Sequence, residues 1–462
     1  MTDLRCDNPF TGAIAVERGY ANAAALDAIV DRASRAQKEL TTTTIAQRRA
    51  LVERAVQWFE SNAERVAREI STTMGKPITE SRGEIRTMAE RARHLMSIAE
   101  TALADEVLPA RDGFHRFIAQ EPVGVVLVIA PWNYPLLTAI NAIAPAILAG
   151  NAVVLKHSAR TPLCGEQFER AFVAVGAPEG LVANVQCDHR AMERLYARPE
   201  IGYVAFTGSV RGGREVFASV ASQRFIDVGL ELGGKDPAYV AADADLDHAI
   251  ANVIDGAFYN AGQSCCAIER IYVHRSLHDR FVEGAAALVR GYRLGDPLDA
   301  TTTQGPLAQP SAPAFLKAQI DQAQSKGGQV LCGGNPTAVD GRGRFFSPTI
   351  VIEATHEMSL MREESFGPVV GIAAVDSDEE AVRLMNDSPY GLTAAIWTRD
   401  VERALQLGRR LETGTVFMNR CDHLDPALPW TGVKDTGKGE SLSRYGFLHV
   451  TRRKSYHFRS RT

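Results

Sequence analysis

Apolar residues recur at helical spacing from residue 21 to residue 75, with Ile29, Leu51, Ala55, Trp58 and Phe59 on the repeating face. Gly75-Lys76-Pro77 interrupts the pattern, which resumes over residues 80–104. Ahead of it, Asn8-Pro9-Phe10-Thr11-Gly12 reads as a turn. Residues 105–120 change character. There Leu108-Pro109-Ala110-Arg111-Asp112-Gly113, followed by Phe114, Arg116 and Phe117, predicts a hairpin-like excursion. From residue 123 onward, short apolar runs alternate with amphipathic stretches. Strands are expected at 123–129, 151–156, 181–185, 203–207 and 224–231, with helices at 138–148, 163–175 and 210–219. The run at 123–129 is nearly all apolar, as a strand covered on both faces should be. This alternation predicts an open parallel sheet with ligands at the carboxyl ends of its strands.

A second alternating region follows. Helices are expected at 246–259, 278–292, 312–324, 378–385 and 401–411. Strands are expected at 270–273, 393–397 and 414–418, and near Gln329, Thr349 and Val369. The fold class is therefore α/β, with two open parallel-sheet, Rossmann-like domains. Residues 447–459 alternate basic and apolar, which predicts an exposed strand pairing with the hairpin-like excursion of another subunit. The apolar stretch 136–155 contains Asn141, Pro145, Gly150 and Asn151, so it reads as a buried helix, a turn and a strand, not a membrane span.

Composition narrows the function. Of 462 residues, 45% are hydrophobic and 23% charged, ordinary for a soluble globular protein. A net charge of -4 argues against nucleic acid as the main partner. Seven cysteines without a CxxC pair indicate neither a metal site nor a disulfide framework. The opening Met-Thr-Asp-Leu-Arg-Cys-Asp has no apolar signal core, so a cytoplasmic location is expected.

Candidate chemistry gathers at three motifs. In Gly262-Gln263-Ser264-Cys265-Cys266 a thiol follows a Gly-Gln turn. No histidine lies near it in sequence, which argues against a Cys-His hydrolase and leaves a helix terminus or a cationic cofactor as activator. In Leu230-Glu231-Leu232-Gly233-Gly234-Lys235 a carboxylate ends an apolar strand, where burial is costly without a role or a partner. Its two glycines admit close neighbours. Asn133, within Pro131-Trp132-Asn133-Tyr134-Pro135, stands where the first sheet should place its crevice. A nucleophile, a base and an amide donor suit chemistry at a carbonyl carbon. Phe206-Thr207-Gly208-Ser209 runs from strand into helix and would favour a phosphate, and Lys156 ends another strand.

Together these motifs, with Thr161-Pro162, Glu364-Ser365-Phe366-Gly367-Pro368 and Met418-Asn419, resemble the aldehyde dehydrogenase superfamily over nearly the whole chain. The resemblance implies a non-acylating enzyme using NAD+ or NADP+. It implies a cofactor domain (1–104 and 122–231), a catalytic domain (232–440) and a small oligomerisation part (105–121 and 441–462), with a homodimer or homotetramer. It casts Cys265 as the nucleophile, Glu231 as the base that activates water, and Asn133 as an oxyanion donor. It assigns cofactor contacts to Trp132, Lys156, Ser158, Ala159, Gly208, Ser209, Leu232, Glu364 and Phe366. Tyr134, Asn141, Leu424 and Trp430 would line the aldehyde pocket, and Arg420 is a candidate for a substrate carboxylate.

The chain also departs from the family pattern. Many NAD-preferring relatives carry Glu where Ala159 stands, and its absence removes a repulsion against a 2′-phosphate; Ser158 and Arg160 are candidates to bind one. Both nicotinamide cofactors therefore stay open. The alternatives are a CoA-acylating relative, which Glu231 disfavours, and a catalytically retired binding protein.

Overall fold

The computed structural model describes residues 3–421 and 423–460. It opens with a hairpin, Asp3–Asp7 against Ile14–Gly19, around the expected turn, where Asn8 Oδ1 accepts from the N–H of Phe10 at 2.8 Å. The long periodic stretch is three helices, Ala23–Leu40, Ile45–Ser61 and Ala63–Met74. It breaks at Thr44, whose side chain caps the second helix in a reciprocal box with Gln47. After the left-handed Gly75 (φ 88°) comes the helix Ile78–Ala102.

Within the described residues, a six-stranded sheet runs in the order Gly437–Lys438, Asp227–Glu231, Ile201–Thr207, Val125–Ala130, Ala152–His157, Val182–Asn184. All neighbours are parallel except Gly437–Lys438. Val125–Ala130 is buried at every position, as its unbroken apolar run requires. The stretch at 136–155 resolves into the helix Leu137–Ala149, the left-handed Gly150 and the strand Ala152–His157.

The second sheet has seven strands in the order Gln329–Cys332, Thr349–Ile352, Val369–Val375, Ile268–His274, Asp236–Val240, Thr393–Trp397, Thr415–Met418. Only the first of these is antiparallel to its neighbour. Asp236–Val240 is central and wholly buried, yet the sequence pattern did not reveal it. Asp, Pro and Ala are depleted in strands, and here packing on both faces overrides that bias.

The basic tail corrects the expectation of pairing with another subunit. Its strand, Thr451–Arg459, pairs with Phe114–Pro122 of its own chain, from Thr451 opposite Pro122 to Arg459 opposite Phe114. Rings of Phe117 and Tyr456 stack across it at 4.3 Å. Residues Tyr445–His449 form a short helix, not the start of the strand.

Register sets the position of the site. In the first sheet Ala130 lies opposite His157, Ile129 opposite Phe206, and Thr207 opposite Glu231, so four strands end along one edge. The second sheet contributes its opposite ends: Asp236 lies opposite Ile268 at the start of two strands, each preceded by a candidate motif.

Candidate active site

Helix Leu246–Phe258 ends in a left-handed turn, with φ of 52° at Asn260, 55° at Ala261 and 67° at Gly262. A non-glycine residue in this region costs on the order of 1–3 kcal/mol and persists only where its surroundings impose it. Here they do. Asn260 Nδ2 donates to the carbonyls of Asn133 (3.2 Å) and Gln263 (3.2 Å). Gln263 Nε2 donates to Asn260 O (3.1 Å), and Gln263 Oε1 accepts from the N–H of Ala308 (2.9 Å). Gly262 presses on the carbonyl of Gly367, which a Cβ would approach to 2.2 Å. The turn delivers Cys265 half-buried and Cys266 buried. The loop of buried Asn133 is thus bonded to the turn that carries Cys265.

Glu231 ends its strand half-buried, with its Oε2 accepting from Thr207 Oγ1 at 3.3 Å. Burial pushes its carboxyl above the usual range, outweighing this hydrogen bond and the nearby Arg91 guanidinium. Both following glycines admit close neighbours. A Cβ at Gly233 would lie 2.4 Å from the Glu364 carboxylate oxygens, and one at Gly234 would lie 2.8 Å from Cys265 O.

Two buried ion pairs hold the remaining loops. Lys235 pairs with Glu269, and the two Glu269 oxygens accept the N–H groups of Ser365 (2.8 Å) and Phe366 (3.0 Å). Glu364 therefore lies over the glycines, accepting from Gly234 N–H at 3.0 Å. Burial, with Glu269 close by, pushes its carboxyl up to about 8. On the other side, Lys76 pairs with Glu84 at 2.5 Å, both nearly inaccessible. Glu84 Oε1 also accepts from the N–H of Leu136 (2.8 Å) and Leu137 (3.3 Å). The helix Leu137–Ala149 has no side-chain cap of its own, so Glu84 satisfies its exposed amides from the neighbouring helix. Lys76 Nζ sits 4.1 Å from the Tyr134 ring.

Cys265 and Glu231 line one cavity of about 270 Å³. The expected Tyr134, Asn141, Leu424 and Trp430 line it too. Arg420 is exposed and stands outside the lining, and His423 takes a place at the wall instead. The charged residues Lys76, Glu84 and Arg91 also line it and were missed in the sequence. The signal was present: Glu84 and Arg91 lie seven apart on the buried stripe of the helix Ile78–Ala102, where charge interrupts an apolar face.

Of the expected cofactor residues, Trp132, Lys156, Ser158, Ala159, Gly208, Ser209 and Leu232 lie at or just past strand ends of the first sheet, and Glu364 and Phe366 lie in the loop before the strand Val369–Val375 of the second. Trp132 and Phe366 meet edge to face at 5.4 Å. Lys156 is half-buried, and burial lowers its ammonium below the usual range. Ser209 caps the helix Val210–Gln223, accepting from Gly212 N–H at 3.1 Å. Buried Leu232 packs where a Cβ on Gly213 would meet it at 2.5 Å, and a Cβ on Gly208 would meet the Phe206 ring at 2.7 Å. Ser158 Oγ accepts from the Arg160 N–H at 3.2 Å, while Ala159 is exposed. Arg160 corrects the idea of a phosphate ligand. Its guanidinium turns inward to the Asp7 carboxylate and the carbonyls of Asp7 and Thr73. The Asp7 carboxylate binds Arg344 as well, so Asp7 joins the N-terminal hairpin both to the turn after the strand Ala152–His157 and to the strand Arg342–Phe346 of a separate hairpin.

The aldehyde dehydrogenase family model matches residues 2–456. The chain belongs to that family. It is an NAD(P)+-dependent oxidoreductase that converts an aldehyde to a carboxylic acid. It is 37% identical to an aldehyde dehydrogenase of Paenarthrobacter nicotinovorans over 90% of this chain and 91% of that one. It is 34% identical to an NADP+ succinate-semialdehyde dehydrogenase of Deinococcus radiodurans, over 97% and 93%. The solved NAD-dependent aldehyde dehydrogenase of Sinorhizobium meliloti superposes with a TM-score of 0.96 at 31% identity, covering 99% of this chain and 92% of that one. The chemistry of the carboxyl ends of the first sheet suits a dinucleotide: a glycine-bounded helix start and a half-buried lysine lie there, and Trp132 meets Phe366 from a loop of the second sheet.

Glu84→Gln should leave Lys76 as an uncompensated buried charge, at a cost of about 3–5 kcal/mol. Because the helix it caps begins at the Asn133 loop, kcat should fall about tenfold or more. The double variant Lys76→Met/Glu84→Gln should melt higher than the single one. Thermal melts showing the single variant as stable as the wild type would refute this role.

Proposed function

We propose that the enzyme oxidises a small aldehyde through covalent attachment to Cys265. The observation that carries this reading is the cavity shared by Cys265 and Glu231, closed around both by the loops just described. At about 270 Å³ it suits a short substrate. The Cys265 sulfur attacks the aldehyde carbon to give a thiohemiacetal. The side-chain amide of Asn133 and the Cys265 N–H hold the oxyanion. A bound NAD(P)+ would supply the hydride acceptor, and loss of hydride from the thiohemiacetal would leave a thioester on Cys265. Glu231 takes a proton from water, which displaces the sulfur and releases the acid. Burial serves this step, since a carboxylate with a raised pKa is a stronger base near neutral pH.

Trp132, Phe366, Glu364, Leu232, Lys156, Ser158, Gly208 and Ser209 hold the cofactor. Exposed Ala159 leaves room for a 2′-phosphate, so NADP+ is accepted. The chain divides into a cofactor-binding part (1–104 and 122–231), a catalytic part (232–440) and an assembly part (105–121 and 441–462), with Asn133 and Glu231 reaching the site from the first and Glu364 and Phe366 from the second. The strand Thr451–Arg459 keeps one edge unpaired and exposes Phe458, which favours a homodimer or homotetramer. Seven free cysteines favour the reducing cytoplasm, and no described helix is long and apolar enough to cross a membrane.

Cys265→Ala should lower turnover more than about 1000-fold while cofactor binding, read by fluorescence, persists. Retained turnover would remove the nucleophile. Deacylation should rise with pH through a value above the free carboxylate range of about 4.3, because protonated Glu231 cannot accept a proton. A kcat that is flat from about pH 5 to pH 8, with Glu231→Gln as active as the wild type, would exclude Glu231 as the base. Ala159→Glu should shift the kcat/KM ratio toward NAD+ by roughly tenfold or more through repulsion of the 2′-phosphate. An unchanged ratio would place cofactor selection elsewhere.

A further inference from the structure

A second, smaller cavity of about 40 Å³ lies against Glu231. Thr138, Asn141, Thr207 and Glu231 line both cavities, so the carboxyl stands between them. The small one has room for about two water molecules. Buried Ser441 lines it. Its Oγ lies close enough to Glu231 to favour the carboxylate, yet it has no hydrogen-bond partner of good geometry among the described residues. An orphaned buried hydroxyl on a polar cavity marks a water site. The serine itself is fixed, because its N–H donates to Trp430 O at 2.9 Å and its carbonyl accepts from Trp430 N–H at 2.8 Å.

His449 and Glu440 line the same small cavity. His449 Nε2 lies 3.0 Å from the Glu440 backbone nitrogen and pairs with the Glu440 carboxylate. Their side chains are 27% and 40% exposed, so the pair meets solvent. The imidazole also stands near enough to Glu231 to favour its charged form. The Tyr203 ring stacks on that imidazole at 6.1 Å, and its hydroxyl reaches beneath Gly229, where a Cβ would lie 2.0 Å away. Other charges nearby are Arg91 on the substrate side, Asp227 beside Tyr203, and Lys438, whose ammonium lies over the Phe217 ring at 5.3 Å. Each thioester cleaved loads Glu231 with a proton that it must lose before the next turnover. At that stage the acyl group occupies the substrate cavity, whereas the small cavity joins the same carboxyl to a solvent-facing imidazole.

We propose that His449, paired with Glu440, takes the proton of Glu231 through water held beside Ser441 and passes it to solvent. Water attacking the thioester gives a proton to Glu231 and its hydroxyl to the acyl carbon. The C–O bond forms as the C–S bond breaks, and the Cys265 sulfur leaves as thiolate. Glu231 then gives a proton to the cavity water, which gives one of its own to His449. The imidazolium, held by the Glu440 carboxylate, releases that proton to bulk water, so one proton goes out for each thioester cleaved. His449 is a relay group that acts through Glu231 and touches no substrate. The inference rests on the reading of Glu231 as the base.

The test uses 4-nitrophenyl acetate with the full-length protein. This activated ester acylates a reactive thiol without cofactor, so 4-nitrophenolate reports a burst of acylation followed by steady deacylation. In dilute buffer His449→Ala should keep the burst amplitude and slow the steady phase by roughly tenfold or more. Added imidazole should restore that phase in His449→Ala but not in Glu231→Gln. Ser441→Ala, which removes one hydroxyl, should keep the burst and slow the same phase by a smaller factor. Steady deacylation at the wild-type rate in either the His449 or the Ser441 variant would overturn the relay and leave Glu231 as the base. Equal rescue of His449→Ala and Glu231→Gln would do the same, since imidazole would then be attacking the thioester itself. Glu231→Gln deacylating as fast as the wild type, or no burst from wild-type protein whose Cys265 alkylates, would sink the proposed reaction and the relay with it.

Discussion

The Nδ2 of Asn260 bonds both the carbonyl of Asn133 and that of Gln263, and the site depends on that shared donor. Asn133 belongs to the carboxyl edge of the first sheet, whereas Gln263 belongs to the turn that leads into the second. Without this bond, the amide loop and the nucleophile loop would be set only by the packing of two separate sheets. The donor can reach both carbonyls because Asn260 and Ala261 accept left-handed backbone. The strain of that turn is offset by buried hydrogen bonds and by contact of Gly262 with Gly367. Reacting groups must be held to within fractions of an ångström, so a strained but over-determined turn suits the task better than a relaxed loop.

The same logic explains two ion pairs that would be poor choices for stability alone. Burying Lys235 with Glu269, or Lys76 with Glu84, costs desolvation that their attraction scarcely recovers. Each glutamate, however, has oxygen left over for backbone. Glu269 takes the amides of Ser365 and Phe366, and Glu84 takes those of Leu136 and Leu137. In both cases the carboxylate fixes a loop beside the site, and the lysine is its ion-pair partner. An apolar replacement could fill the volume but could not accept those amides.

Much of this was legible in the sequence where chemistry and local geometry coincide. The Gly-Gln-Ser-Cys turn, the Glu-Leu-Gly-Gly strand end and the Pro-Trp-Asn-Tyr-Pro loop each carry a backbone requirement as well as a reactive group. What stayed hidden depends on tertiary context. Asp236–Val240 is a central strand with a poor strand signature. Arg160, adjacent to a cofactor motif, turns inward because Asp7 arrives from the N-terminal hairpin, far away in sequence. Arg420 and Arg91 are both arginines near pocket residues, and only the packing of the helix Ile78–Ala102 puts Arg91 on the cavity wall. The tail was read correctly as a strand but given the wrong partner, since alternation along a strand carries no information about which chain supplies the next one.

Glu231 shows how these arrangements converge on reactivity. Its burial favours the neutral acid, while Thr207 and Arg91 favour the carboxylate. A base for water near neutral pH needs that opposition: full solvation would leave it too weak, and burial without a cation would leave it protonated.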